Sequence, residues 1–244
     1  MIGKPFIILS SVDSTNNHAM GLIREGKAAS GMAIFALEQT NGKGQRGKTW
    51  QSNSGENIML TTVLDGKAFS ILEQFPFSAA VALGCYDFFS KYAGEETSIK
   101  WPNDIFWRDR KAGGILIENI IHHGDWEWCV IGMGININQV NFSDIENKTV
   151  SIKQITGQHF DPIELSKDLL ACIYKRIATL KSDGAVATIN EYNMYLYKKG
   201  QLNKFKRGQK VFEAEVQKVN LQGELQISHD FAESIRHGEL VWLL

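Results

Sequence analysis

Cysteine is scarce in this 244-residue chain: there are three, Cys85, Cys129 and Cys172. They are odd in number, far apart and without a C-x-x-C pair. This argues against a disulfide scaffold or a cysteine zinc site and fits buried thiols in a reducing compartment. An excess of one charge is also lacking, with 26 Lys and Arg against 27 Asp and Glu. The global basic surplus of a dedicated nucleic-acid binder is therefore missing, although a local patch remains open. No long apolar run is present. Phe6 to Leu9 is too short for a signal-peptide core and Asp13 follows soon after, while Phe75 to Tyr86 and Trp128 to Ser143 are too short or too rich in Asn and Gly to span a bilayer. Asn141-Phe142-Ser143 and Asn147-Lys148-Thr149 match the glycosylation sequon, and without a secretion signal they read as chance. A soluble, cytoplasmic protein without a membrane partner is expected.

Signals for two common chemistries are missing as well. His122 and His123 are adjacent, so in a strand they face opposite sides, and His18, His159, His229 and His237 lack zinc spacing. No G-x-S-x-G elbow or other nucleophile context occurs, so covalent catalysis is unsupported. What is present is 43% hydrophobic and 22% charged residues, enough for a sizeable core. The length suits one large domain or one with a small appendage.

Periodicity organises the chain. Ile7 to Ser10 reads as a strand, and Asp13-Ser14-Thr15 offers capping oxygens to a helix ending near Gly26. A strand at Met32 to Leu37, a Gly-rich polar loop at Thr40 to Asn57 and a strand at Ile58 to Leu64 follow. Pro76 to Tyr92 has helical spacing, with Gly94 as its stop. Strands are predicted at Thr97 to Trp101, Ile105 to Trp107, Gly113 to His122 and Glu127 to Asn138, the last two joined by a turn at His123-Gly124-Asp125. Helices are expected at Pro162 to Leu180 and Ala185 to Tyr197. Strands in hairpins with helices set apart indicate an α+β fold with a mixed or antiparallel sheet. Beyond Lys198 short alternating runs take over, at Lys210 to Val219, Glu224 to Ser228 and Glu239 to Leu243, suggesting a small β-barrel. The expected division is 1–197 and 198–244.

Four segments carry chemistry. Gly42-Lys43-Gly44-Gln45-Arg46-Gly47-Lys48-Thr49-Trp50 satisfies G-x-G-x-x-G, but no helix follows it, which argues against a dinucleotide fingerprint. Glycines with three cations describe a phosphate-binding loop or, alternatively, a mobile solvated one. Trp50 suits either base stacking or the core. In Lys100-Trp101-Pro102-Asn103-Asp104, Pro102 breaks the strand, and Asp104 either orients a metal-bound phosphate or caps the turn. Arg108 to Gly114 reads as a solvated hairpin tip or, because glycines enter an apolar strand, as a ligand approach with Lys111 as a point charge. In Ile131 to Asn138 one face is Ile, Met, Ile, Ile and the other Gly, Gly, Asn, Asn. The second face is a flat floor for a planar ligand, with a bulge as the alternative.

In order, Asp13-Ser14-Thr15-Asn16, Glu38-Gln39-Thr40-Asn41 leading into Gly42 to Trp50, Lys100 to Asp104, Asp109 to Gly114 and Gly132 to Asn136 resemble the bacterial biotin–protein ligase family. The resemblance runs from about residue 6 to 140 and is weaker beyond. It implies a catalytic domain like that of class II aminoacyl-tRNA synthetases followed by an SH3-like barrel. It also implies a two-step reaction: biotin and ATP, the latter as its Mg2+ complex, give biotinyl-AMP, and a lysine of a biotin carboxyl carrier protein then takes the biotinyl group.

By the same resemblance, Ser14, Thr15, Asn16, Gln39, Gly42, Lys43, Gly44, Gln45, Lys111, Gly114 and Gly132 would bind biotin. Lys43, Gly44, Gln45, Arg46, Trp50, Lys100, Asn103, Lys111 and Asn136 would bind ATP, and Lys111, Lys43 and Asp104 would act in catalysis. No tightly bound protein metal is expected. Adenylation agrees with such residues, because bringing a carboxylate against a polyphosphate calls for cations and N–H groups more than a nucleophile. The chain departs from the family loop Gly-Arg-Gly-Arg at Lys43 and Gln45; the first keeps charge without a bidentate fork, the second loses charge, so retention of the adenylate is in question. With about a dozen residues before Ser14, a helix-turn-helix and a DNA partner are not expected; a homodimer is left open. The rival readings are a lipoate–protein ligase and a non-catalytic binding protein responding to biotin or a nucleotide.

Overall fold

Alternating apolar residues pair into a seven-stranded sheet: β1 (Phe6–Leu9), β2 (Ala33–Ala36), β3 (Ile58–Asp65), β4 (Thr97–Lys100), β5 (Asp104–Trp107), β6 (Arg110–His122) and β7 (Asp125–Ile135). Their order is β1-β2-β3-β7-β6-β5-β4. The pair β1–β2 is parallel and the others are antiparallel, so the sheet is mixed as expected. The computed structural model describes residues 3–142, 149–229 and 232–243; both sequons extend outside the described residues.

The period of two in β7 sorts its residues into layers. Cys129, Ile131, Met133 and Ile135 point into the main core, at most 2% exposed. That core is covered by α2 (Gln74–Ala93) and α4 (Pro162–Met194). Gly184, at φ 84° and ψ 172°, interrupts α4, which yields the two predicted helices. On the opposite face α1 (Thr15–Arg24) lays Ala19 over Ile34, Val63 and Val130. α1 is shorter than the sheet is wide, so part of this face stays uncovered by helix.

Three elements escaped the sequence reading. The helix α3 (Ile152–Thr156) is a single turn held by a Ser151–Gln154 capping box and is too short to show a period. The strand β8 (Leu202–Arg207) hides its alternation because Leu202 is exposed and only Asn203 and Phe205 turn inward. β11 (Ala232–Ile235) buries Ile235 alone. With β9 (Lys210–Val219), β10 (Leu225–Ser228) and β12 (Val241–Leu243) they form a five-stranded antiparallel sheet, ordered β11-β10-β9-β8-β12. Contacts that seat this sheet on the rest include a bond from Trp101 Nε1 to the Gly223 carbonyl at 3.0 Å and the Asn193 carboxamide, which both donates to and accepts from Val219.

Two local expectations change. Ser14 is the N-cap of α1, but its hydroxyl caps nothing; Asp13 instead accepts a bond from Asn17. His122 and His123 do not face apart, because β6 ends at His122 and His123 turns at φ 52°, which brings the rings to 4.1 Å between centroids. Among the described residues no group of three His, Cys, Asp or Glu could hold a metal, and no helix is long and apolar enough to cross a membrane.

Candidate active site

The amino end of α1 is finished by a side chain from elsewhere in the chain. The Thr15 backbone N–H donates to Gln39 Oε1 at 2.8 Å, satisfying one of the orphan donors of a helix start. Thr61 Oγ1 lies 2.7 Å from Thr15 Oγ1 and 2.6 Å from Asn16 Oδ1. Asn16 Nδ2 then donates to Glu118 Oε2 at 2.7 Å, and Lys43 Nζ stands 3.7 Å from the other Glu118 oxygen. Ser14, Thr15, Asn16 and Thr61 are buried. The result is a polar wall whose groups are held by one another, with Thr61 and Glu118 as members that the motifs did not reveal. Thr61 sits in the middle of an apolar strand and Glu118 in a run of Ile, so neither stood out.

The floor beside this wall is the glycine face of β7. A Cβ at Gly132 would overlap the Asn16 carboxamide, and one at Gly134 would overlap the Trp50 indole. Glycine there therefore admits two of the chain's own side chains, and both remain on the cavity lining. Trp50 reaches this position because the loop closes as a small hairpin, with Gly44 N–H donating to the Lys48 carbonyl and Trp50 N–H to the Gly42 carbonyl. Trp50 Nε1 is buried without a protein partner.

Lys111 depends on an irregularity. Along β5 and β6, Ile105 pairs with Gly113 but Phe106 pairs with Lys111, so Ala112 is an extra residue. In a regular strand residues 111 and 114 would point to opposite faces; the bulge puts them on one. Lys111 Nζ lies 2.8 Å from Asp104 Oδ1, and both side chains pass over Gly114, where a Cβ would touch them. Gly113 faces the other way and gives close access to Ile135, a packing role rather than the ligand approach its sequence context suggested.

Most of the predicted residues meet. Ser14, Thr15, Asn16 and Gln39 form one end of a cavity with about 470 Å³ of empty space, counting the part open to solvent. Gly132 and Trp50 floor it, Lys43, Gly44 and Gln45 border it, and Asn103, Asp104, Lys111 and Gly114 close the other end. Asn103 Nδ2 donates to the Ile115 carbonyl at 2.7 Å, which fixes the turn before Asp104. Four predicted residues are not on this lining. Gly42 is buried behind it, against the Trp50 carbonyl and the Gln39 amide. Asn136 is 2% exposed and its Nδ2 donates to the Val150 carbonyl at 3.2 Å, so it anchors the strand end beside Lys111.

Arg46, at φ 56°, swings toward the C-terminal sheet and lies where a Cβ on Gly238 would be. Lys100 sits between the Phe106 and Trp242 rings, 5.3 and 5.4 Å from their centroids. Burial there pulls its ammonium down to about 8, with the charge of Asp104 opposing that shift and those of Lys111 and Lys48 adding to it. Burial, helped by the charge of Arg46, also lowers the His237 imidazole below its ordinary value.

Neither thiol nor imidazole lines the cavity. Fixed hydroxyls and amides at one end, Lys43 beside them and the Lys111 ammonium at the other end suit an uncharged polar ring carrying an anionic arm, with charge stabilised as it develops.

A family model described as the biotin/lipoate A/B protein ligase family matches residues 8–136, more than half of the chain. The chain belongs to that family. Among curated members of the family, the bifunctional ligase/repressor BirA of Escherichia coli is 33% identical over 179 residues, covering 71% of this chain and 52% of that protein. The chain thus spans about half the length of that relative. The biotin–[acetyl-CoA-carboxylase] ligase of Paracoccus denitrificans is 33% identical over 177 residues, 69% of this chain and 71% of that protein. Among solved structures of the family, the biotin protein ligase of Aquifex aeolicus in complex with biotin and ATP superposes with a TM-score of 0.81 at 23% identity, covering 97% of both chains. That likeness establishes the α+β fold across nearly the whole chain.

Proposed function

We propose that the protein activates biotin with ATP to biotinyl-5'-AMP and transfers the biotinyl group to a lysine of a biotin carboxyl carrier protein. The observation that carries this reading is the polarity of the cavity: a buried amide and hydroxyl wall at one end, and the Lys111–Asp104 pair laid over Gly114 at the other. The neutral ureido ring of biotin suits the wall of Ser14, Thr15, Asn16 and Gln39, and Gly132 leaves room for the Asn16 carboxamide in that wall. Its carboxylate would meet Lys43 and the Gly44 backbone, and the α-phosphate of ATP, bound as the magnesium complex, would meet Lys111. Asp104 keeps the Lys111 ammonium aimed, and Asn136 acts through the backbone beside Lys111. Trp50 offers its ring to adenine. Lys100 and Arg46 contribute field at the phosphate end from behind the lining. Residues 1–197 would form the catalytic domain, with 198–244 as a separate SH3-like domain bordering it.

Each step has a physical cause. Attack of the biotin carboxylate on the α-phosphate gathers negative charge that cations and backbone N–H groups stabilise, and pyrophosphate leaves. A lysine amine then displaces AMP from the acyl carbon. The deciding experiment is ATP–pyrophosphate exchange with biotin or lipoate as the carboxylate. Biotin-dependent exchange is expected; exchange with lipoate alone would transfer the reading to a lipoate ligase, and binding without exchange would leave only a binding protein.

A further inference from the structure

A second cleft adjoins the cavity. It encloses about 1110 Å³ of empty space, counting open solvent, between Phe75, Pro102 and Ile117 on one side and the C-terminal turns carrying Gln222, Gly223 and His237 on the other. Its wall is seated firmly: Trp101 bonds the Gly223 carbonyl, a Cβ at Gly223 would collide with the Phe75 ring, and Arg46 rests on Gly238. The cleft and the cavity share three lining residues, Gln45, Asn103 and Ile115, so they meet there. Asn103 Nδ2 donates to the Ile115 carbonyl, which leaves the Asn103 and Gln45 carboxamide oxygens as the acceptors that these shared side chains offer. Gln45 keeps a buried Oε1 that no protein donor reaches.

Resting on the proposed ligase reading, we infer that this cleft admits the acceptor lysine of the carrier and that Gln45 Oε1 receives its amine at the junction. The apolar side of the lining fits such an occupant, while Ser78, Glu224 and Arg236 make the rest of the cleft polar. Four methylenes match the apolar stretch of Phe75, Pro102, Ile115 and Ile117, and the terminal nitrogen needs an acceptor at the far end. The reacting form is the neutral amine. A carboxylate at position 45 would hold it as ammonium, and an arginine would offer no acceptor; a carboxamide oxygen accepts an N–H of the neutral amine without adding a negative charge that favours ammonium. In the transfer the amine nitrogen attacks the acyl carbon of biotinyl-AMP and the C–N bond forms. The C–O bond to phosphate breaks with its electron pair going to AMP, and the surplus proton on nitrogen leaves to water.

Two variants test this with the full chain and a purified biotin carboxyl carrier protein. Gln222→Trp narrows the cleft from an exposed turn; Gln45→Leu removes the acceptor. Three rates are followed: ATP–pyrophosphate exchange, transfer of preformed biotinyl-AMP to the carrier, and its capture by hydroxylamine, which is small enough to need no cleft. Gln222→Trp is expected to slow transfer at least tenfold with exchange and hydroxylamine capture within twofold. Gln45→Leu is expected to slow transfer at least tenfold more than hydroxylamine capture, a split that mere loss of structure would not produce. Transfer unchanged in both variants overturns the inference while leaving the ligase reading intact. Exchange falling in parallel with transfer in Gln222→Trp also overturns it, because the cleft would then serve the nucleotide or pyrophosphate. Absence of biotin-dependent exchange in the unaltered protein overturns the ligase reading and this inference together.

Discussion

The two faces of the seven-stranded sheet are built from the same strands and follow different rules. Toward α2 and α4, β7 presents Ile131, Met133 and Ile135 to a continuous core that is apolar apart from such pairs as the Thr62 and Tyr174 hydroxyls. Toward α1, the alternate positions are Gly132 and Gly134, and their neighbours are an amide and an indole that also face the cavity. Dispersion and burial stabilise the first face and are indifferent to which apolar group supplies them. Beside the apolar patch of Ala19, Ile34, Val63 and Val130, the glycine part of the second face is held by paired polar groups, each of which needs a specific partner. Residues one position apart in β7 therefore answer to stability on one side and to binding on the other.

Substitutions can separate the two. The largest effect is expected at Ile131, fully buried in the main core: Ile131→Ala should lower unfolding free energy by ~2–5 kcal/mol in denaturant titrations, with the biotin affinity of the folded fraction little changed. Lys111→Ala should do the reverse, slowing adenylate formation in single turnover by ~10²–10³, roughly 3–4 kcal/mol, with little change in stability. Single-turnover adenylation within a few-fold of the unaltered rate would take Lys111 out of the chemistry. Gly132→Ala tests the second face directly: its methyl must displace the Asn16 carboxamide, and calorimetry should show biotin binding weakened by ~1–3 kcal/mol.

The smallest effect is expected at Gln45. A charged hydrogen bond to phosphate is about twice as strong as a neutral one, so Gln45→Arg should retain biotinyl-AMP by ~1 kcal/mol, slowing its escape several-fold. Trapping the adenylate and timing its release checks this. Equal or faster escape would mean that Lys43 and its neighbours already hold the phosphate.

How far the site could be read in advance depended on whether a residue's role was local. Gly132 and Gly134 were legible because alternation alone assigns a strand's residues to faces. Asp104 and Lys111 were legible as charges beside a turn, but their meeting over Gly114 was not. It requires the bulge at Ala112, and a one-residue shift in pairing leaves no mark in composition or period. Arg46 and Lys48 are near-neighbours of Lys43 in a cationic loop, yet Arg46 leaves the cavity for Gly238, almost two hundred residues away in the chain. Asn136 looked like part of a ligand-facing edge and is instead bonded to the main chain of Val150. Its type suits both roles, and the choice between them depends on which backbone carbonyl lies nearby.

The sequence by itself determined the elements with a period and a stop: the strands of the larger sheet, the helix ending at Gly94, the division into helices at Pro162 to Leu180 and Ala185 to Tyr197, and the apolar face of β7. These follow from local backbone preferences and the spacing of hydrophobic side chains. It also placed most of the cavity-lining residues in short motifs. Only the tertiary structure decided what fills the glycine floor, that Glu118 joins Asn16 to Lys43, that the bulge turns Lys111 onto Asp104, and that the C-terminal sheet walls a cleft ending at Gln45. Each of those is a contact between residues distant in the chain, and a polar contact of a few ångströms is set by register and packing, which the order of residue types constrains only after the chain has folded.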